Sequence, residues 1–191
     1  MWQGNPPLRS SPLWVYIVAN LRPEKHGSKS IPAEANRNGA YMSHYDIVIK
    51  TIPAMLVAAL RVTIPATGYL PKYLEPAFTE AYDYVRKHGA QDNGPCFAMW
   101  YSPSYVHEDA EAVVPIDRPL TGTDRVKVYQ LSQTQVASVI HFGDFKEFTK
   151  DLAALLEWIN ANGYAIVGPY REIYLKQDRT ITEIQFPVAK A

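Results

Sequence analysis

A repeated spacing of glycine, proline and glutamate divides the chain into two similar halves. The matched positions are Gly89 and Gly163, Gly94-Pro95 and Gly168-Pro169, Glu111 and Glu183, and Pro115 and Pro187. The apolar stripe before each glycine also aligns, with Phe78, Tyr82 and Val85 matching Leu152, Leu156 and Ile159. Several matches in one order predict a tandem duplication of a β-β-α-β-β or related unit.

The hydrophobic periodicity assigns elements to each half. Strands are predicted near 45–50, 55–62, 96–102, 111–117, 126–130, 135–142, 170–175 and 182–188, with helices over 76–88 and from a capping box at Asp144 and Glu147. The acidic segment 107–111 predicts a loop. The resulting fold class is α+β, with tandem pseudo-twofold β-α-β-β modules and a curved antiparallel sheet. Its helices are expected on one face and a ligand cleft on the other.

The first 42 residues differ from the rest of the chain. They carry five prolines and an irregular polar run at 22–30, with one short strand predicted at 13–19. We expect 1–42 to be a poorly ordered, Pro-rich extension and 43–191 to be the folded domain. Met42 is a candidate alternative translation start.

Composition excludes several classes of function. The 19 basic and 19 acidic residues balance, so no overall basic field favours nucleic acid. No apolar run reaches the length of a membrane span, and the single Cys96 allows no internal disulfide and is expected in the core. The five histidines show no metal-ligand spacing, and no nucleotide or nucleophile motif occurs. We therefore expect a cytoplasmic protein without cofactor or metal.

Strand alternation around G-P-Y-R-E-I-Y-L at 168–175 identifies candidate site residues. Tyr170, Glu172 and Tyr174 share one side of this strand. The other side carries Ile173 and Leu175, which we expect to pack against helices. Glu172, Tyr174 and Trp100 would then face the cleft, with Tyr101 and Tyr170 as further candidates. The repeat counterpart of Glu172 is Ala98, so one half supplies a charge where the other has none.

A carboxylate among aromatic side chains allows two kinds of chemistry. It neutralises an organic cation that the aromatic faces attract, or, with a pKa raised by desolvation, it acts as a general acid or base. Two alternatives remain open for Glu172: pairing with a basic residue and exposure on an edge strand. Glu183 is either a second cleft acid or a structural residue, and its counterpart Glu111 favours the structural role.

The order of motifs over 43–189 resembles the GyrI-like small-molecule-binding family, the effector-binding domain of AraC- and MerR-type bacterial regulators. The motifs are Y-D-I-V-I-K at 45–50, H-F-G-D-F at 141–145, L-E-W-I-N-A-N-G-Y at 156–164, G-P-Y-R-E-I-Y-L at 168–175 and T-E-I-Q-F-P-V at 182–188. The resemblance implies a multidrug-type cleft whose glutamate falls on Glu172.

The resemblance leaves three functions open. The first is a stand-alone binder of hydrophobic, cationic or aromatic small molecules. The second is a hydrolase of cyclopropanoid toxins in which Glu172 and Tyr174 are catalytic. The third is a gyrase-protecting interaction protein. The segment 1–42 is too short and too rich in proline for a helix-turn-helix module, so no direct DNA binding is expected. The sequence leaves the oligomeric state undetermined.

Overall fold

The computed structural model describes residues 46–65, 70–103, 107–143, 145–176 and 179–191. Its strands are β1 (Val48–Ile52), β2 (Met55–Pro65), β3 (Phe97–Pro103), β4 (His107–Pro115), β5 (Val126–Leu131), β6 (Thr134–Phe142), β7 (Tyr164–Ile166), β8 (Tyr170–Tyr174) and β9 (Ile181–Lys190). Its helices are α1 (Leu70–Lys87) and α2 (Phe145–Ala161). The predicted extension 1–42, its strand at 13–19 and the capping residue Asp144 lie outside the described residues.

The strands form one antiparallel sheet whose order confirms the duplication. The order is β1-β6-β9-β8-β3-β4-β2-β5, with β7 paired to β9 beside this path. Counted inward from the two ends, this order places equivalent strands of the two halves at the same position: β1 and β5, β6 and β2, β9 and β4, β8 and β3. A pseudo-twofold axis therefore passes between β8 and β3. The first strand of each half pairs with the other half, since β1 joins β6 and β5 joins β2.

The connection between β1 and β2 requires the sheet to curve strongly. Only Pro53 and Ala54 separate the two strands, yet β1 is the first and β2 the seventh strand of the order. In a flat sheet these strands would lie about 29 Å apart, at about 4.8 Å per strand. The three Cα steps from Ile52 to Met55 reach about 11 Å at most. The sheet is therefore rolled until its first and seventh strands come together at one end.

Both helices pack on the same face of this sheet, one over each half. The buried stripe of α1 is Leu74, Ala77, Phe78, Ala81 and Val85, and that of α2 is Phe148, Leu152, Leu155 and Ile159. The predicted helix period of 3.6 residues is confirmed by the burial of four predicted stripe residues, Phe78, Val85, Leu152 and Ile159. Gly89 and Gly163 follow the helices with φ of 75° and 69°, a backbone conformation that favours glycine at helix ends.

Two predicted boundaries are wrong. Helix α1 begins at Leu70 rather than at residue 76, and Pro76 is its seventh residue, a position where proline removes one backbone hydrogen bond of the helix. The acidic segment 107–111 belongs to β4 rather than to a loop. It continues the strand because it pairs with β2, where Arg61 and Thr63 contact Asp109.

Candidate functional site

The candidate site lies on β8, beside the pseudo-twofold axis at the centre of the sheet. Glu172 pairs with Ala98 of β3 on one side and with Ile184 of β9 on the other. Directly paired residues of antiparallel strands point to the same face. Ala98 belongs to the core beneath α1 and Ile184 to the core beneath α2. Glu172 therefore lies on the helix-bearing face, between the parts of the sheet that the two helices cover.

This placement corrects the predicted faces of the strand. Glu172, Tyr174 and Trp100 were expected on the side away from the helices, but Tyr174 and Trp100 pack in the core beneath α1. Ile173 lies on the helix-free face instead. The grouping by alternation is confirmed, whereas the assignment of helices to the aliphatic side is wrong. Apolar content did not distinguish the faces because curvature buries the helix-free face as well.

The carboxylate of Glu172 is buried and accepts two tyrosine hydroxyls. Glu172 is 3% exposed. The Tyr170 hydroxyl donates to Oε1 and the Tyr174 hydroxyl to Oε2, each at 3.2 Å. Donors to both oxygens favour the ionised form and offset part of the cost of burial. Its position on a central strand excludes exposure on an edge strand.

Aromatic rings surround this carboxylate. Trp100 stacks on Tyr170, with ring centroids 6.0 Å apart and planes 12° apart. Tyr170 in turn stacks on Phe186 at 5.3 Å, and Tyr174 meets Phe78 of α1 edge to face at 5.8 Å. The structure thus brings together Trp100, Tyr170 and Tyr174 as predicted from sequence.

Two members of the aromatic cluster were missed as site residues. Phe78 was predicted only as part of a helix stripe, and Phe186 only as a strand residue. Both are aromatic residues at positions that the periodicity predicts to be buried, and this is the signal in the sequence that could have identified them. In addition, Nε1 of Trp100 is buried with no hydrogen-bond partner among the described residues, which leaves one donor in the cluster for a bound molecule.

Tyr174 connects the carboxylate to a cation. Burial raises the pKa of Tyr174 well above its ordinary value, and the nearby Glu172 raises it further. The hydroxyl therefore stays protonated and continues to donate at neutral pH. The guanidinium of Arg179 lies over the Tyr174 ring, 4.9 Å from its centroid. Arg179 has a φ of 58°, in the left-handed region that is uncommon for residues other than glycine.

A cavity of about 720 Å³ adjoins Tyr174 on the helix-bearing face. Phe78 and Tyr82 of α1 line it together with Tyr174, Cys96 and Arg179. Its lining also carries the acidic residues Glu75, Asp83 and Asp92 and a second arginine, Arg86, which lies 3.8 Å from Asp83. Cys96 is half-buried here rather than in the core, and burial raises the pKa of its thiol. Three acidic and two basic side chains accompany these aromatic walls, so the cavity keeps a net negative charge that suits an apolar cation.

Tyr101 and Glu183, both predicted as site residues, lie on the helix-free face. The Tyr101 hydroxyl donates to Glu111 at 2.8 Å, and Glu183 forms an ion pair with Lys50 at 2.6 Å. The structure therefore does not bring either residue to Glu172. Glu111 has its own basic neighbour, Arg61, at 3.7 Å. Each of the two equivalent glutamates therefore lies beside a cation, Glu183 beside Lys50 of β1 and Glu111 beside Arg61 of β2.

Within the described ranges, no cluster of three or more His, Cys, Asp or Glu residues could hold a metal ion. His141 is fully buried, with Nδ1 2.7 Å from Asp151 of α2.

No helix in the described part of the chain has the length and apolar character of a membrane span.

Comparison with known proteins agrees with this architecture. A family model described as "GyrI-like small molecule binding domain" matches residues 45–189. No curated protein matches the chain. Among solved structures, the C-terminal domain of EcmrR has a TM-score of 0.67 at 24% identity, over 78% of this chain and all of that domain. In the EcmrR–DNA complex, at 23% identity and a TM-score of 0.68, the match covers 77% of this chain but only 58% of EcmrR.

Two further structures share the fold. SAV2435, solved bound to tetraphenylphosphonium, has a TM-score of 0.53 at 14% identity, over 75% of this chain and 94% of that one. A hydrolase from Listeria innocua has a TM-score of 0.53 at 15% identity, over 75% of this chain and 91% of that one.

Proposed function

Because this chain belongs to the family of GyrI-like small molecule binding domains, we propose that it binds lipophilic organic cations on its helix-bearing face. The observation that carries the proposal is the buried Glu172 carboxylate among Trp100, Tyr170 and Tyr174. The tetraphenylphosphonium bound by the structurally similar SAV2435 is a ligand of this class.

The charge of the ligand follows from the chemistry of the site. Ring faces attract cations, and a carboxylate in a poorly hydrated environment attracts them more strongly than one in water. The rings also provide apolar area that favours a ligand with aromatic substituents. A neutral ligand would gain the apolar contact alone, so the site selects for ligands that combine both properties.

Access to the carboxylate involves Tyr174 and Arg179. Glu172 is almost fully buried, whereas Tyr174 also borders the adjacent cavity. We infer that a ligand enters through this cavity and that its cation takes the place of the Arg179 guanidinium over the Tyr174 ring. The three acidic residues of the lining outnumber its two arginines, and this net negative charge would favour the approach of a cation.

Calorimetric titration with tetraphenylphosphonium tests the proposal. Glu172→Gln keeps the shape of the side chain and removes its charge, so we expect affinity to fall at least about tenfold. Glu157→Gln, on an exposed position of α2, is the matched control and should bind like the wild type. Equal affinity in the Glu172→Gln variant, with unchanged thermal unfolding, would remove Glu172 from the site.

A second candidate function is hydrolysis, which the hydroxyl–carboxylate contact between Tyr174 and Glu172 favours. A similar fold occurs in the hydrolase from Listeria innocua. Opening of a strained cyclopropane ring adds water across one C–C bond: Glu172 would accept a proton from the water as its oxygen bonds to one carbon, and that proton would return to the fragment that keeps the electron pair of the broken C–C bond. Mass spectrometry of a cyclopropanoid substrate would detect the gain of one water. Activity lost in Glu172→Gln but kept in Glu157→Gln supports hydrolysis, and an unchanged substrate mass in the wild type excludes it for that compound.

A further inference from the structure

The helix-free face of the sheet carries a second cavity, of about 550 Å³. The β1–β2 connection closes one side of it, since Ile52, Pro53 and Ala54 are among its lining residues. Phe97 and Ile173 supply apolar walls from the two central strands. The strong curvature of the sheet thus encloses a space on the face that no described helix covers.

Arg171 brings a buried positive charge into this cavity. It lines the cavity at 6% exposure, and its Nε is buried without a hydrogen-bond partner among the described residues. Its guanidinium lies 5.9 Å from the centroid of the Phe97 ring. Desolvation lowers the pKa of Arg171, although the nearby Tyr129 and Tyr101 oppose this shift.

Other cations on this face differ from Arg171, because Lys50 and Arg61 each have an acidic partner and Lys127, which pairs with Ala59, is exposed. Lys50 pairs with Glu183 at 2.6 Å, and Arg61 lies within ion-pair distance of both Asp109 and Glu111. None of the ion pairs among the described residues includes Arg171. A buried charge that lacks a partner is costly to the fold and is found most often at functional positions.

We propose that this cavity is a second binding site, which takes a small organic carboxylate through Arg171. The planar guanidinium presents several donors that match the two oxygens of a carboxylate. Gln185, paired with Arg171 in the register of β8 and β9, lines the same cavity and offers a further amide donor. The apolar body of the ligand would contact Phe97 and Ile173.

The lining favours a singly charged ligand over phosphate. Glu183 lies in the same cavity with its charge balanced by Lys50, so one cation remains for a ligand. A multiply charged anion would meet the Glu183 carboxylate in a poorly hydrated space, where like charges repel strongly. Because adjacent strand residues point to opposite faces, this site is separated from Glu172 by the sheet itself.

Calorimetric titration of the full chain with benzoate and with 4-phenylbutyrate tests the proposal. We expect millimolar or tighter binding of at least one of these acids, and no binding of the neutral isostere benzamide. Arg171→Gln should weaken binding at least about tenfold. Arg118→Gln removes the same charge from an exposed arginine that pairs with Asp117, and it should leave affinity unchanged.

Three results would overturn the proposal. The first is that neither acid binds at millimolar concentration, and the second is that Arg171→Gln binds as the wild type does. The third is competition between benzoate and tetraphenylphosphonium, which would place both in one site. If Arg171→Gln does not fold, Arg171→Lys keeps the charge but not the planar fork. It should then retain benzoate binding with reduced affinity, and full affinity in that variant would contradict recognition by the guanidinium.

Discussion

Ala98 and Glu172 occupy equivalent positions of the two repeats, and they are also direct cross-strand neighbours in the register of β3 and β8. The pseudo-twofold axis between these strands makes each the partner of its own counterpart. Two glutamates here would place two carboxylates opposite each other in a buried site, an arrangement that is destabilising. The geometry therefore accounts for a single charge in a duplicated fold.

This relationship predicts the effect of a second acid. Ala98→Glu should lower the free energy of unfolding by about 2 kcal/mol or more relative to Ala98→Gln at neutral pH, because the two variants differ mainly in charge. Repulsion raises the carboxyl pKa in the folded state. The stability of Ala98→Glu is therefore greatest below the unfolded-state carboxyl pKa and is lost as pH rises.

Urea unfolding at neutral pH and at about pH 4 checks this prediction. The gap between Ala98→Glu and Ala98→Gln should narrow on acidification. A gap that is absent, or that widens in acid, would show that the two positions do not face each other.

Arg179 is predicted to compete with the ligand for the face of Tyr174. Its guanidinium lies 4.9 Å from the centroid of that ring. Arg179→Gln should therefore bind tetraphenylphosphonium several-fold more tightly, as expected when a cation–π contact of about 1 kcal/mol no longer has to be broken. Lys176→Gln, which removes a neighbouring exposed charge, controls for the general electrostatic effect. Equal gains in both variants would rule out direct competition.

The buried tyrosines around Glu111 predict a loss of stability in alkali. The hydroxyls of Tyr101 and Tyr129 donate to Glu111 at 2.8 and 2.6 Å, and burial followed by this carboxylate raises the pKa of both. Tyrosine in the unfolded chain titrates at about pH 10. Their contribution is thus complete below that pH and declines as pH rises toward the folded-state pKa values.

Urea unfolding between about pH 9 and about pH 11 measures this decline, with a slope near 1.4 kcal/mol per pH unit for each such tyrosine. The double variant Tyr101→Phe and Tyr129→Phe should show a shallower decline than the wild type. Parallel pH profiles for the two proteins would contradict the assigned environment of these hydroxyls.

The repeat and the hydrophobic periods were sufficient to predict the two-unit α+β architecture, but not all of its strand pairing. Equal glycine spacing and matching helix stripes predicted two similar units, and the strand order confirms them. The exchange of β1 and β5 between halves could not be read from local patterns, because it depends on pairing over long distances in the sequence. The start of α1 was also missed, because Pro76 is typical of a helix start rather than of a helix interior.

The candidate site was predicted in some of its members, Glu172, Trp100, Tyr170 and Tyr174, but not in its position. The strand periodicity of two residues predicts that Tyr170, Glu172 and Tyr174 share a face. It does not predict which face the helices cover. Ile173 was predicted to pack against helices, yet the curved sheet buries it on the opposite face together with Phe97. The second cavity could not be predicted for the same reason, because it depends on the roll of the sheet that the Pro53-Ala54 connection requires.

Charge discrimination tests the central proposal most directly. Tetraphenylphosphonium is a cation, whereas triphenylphosphine oxide is neutral and has an oxo group in place of one phenyl ring, so the change that Glu172→Gln causes in the ratio of their affinities reports the electrostatic contribution of the site. We predict that the wild type and Glu157→Gln prefer the cation by at least about tenfold, and that Glu172→Gln loses most of this preference. A Glu172→Gln variant that keeps the wild-type preference would contradict a cation site built on Glu172.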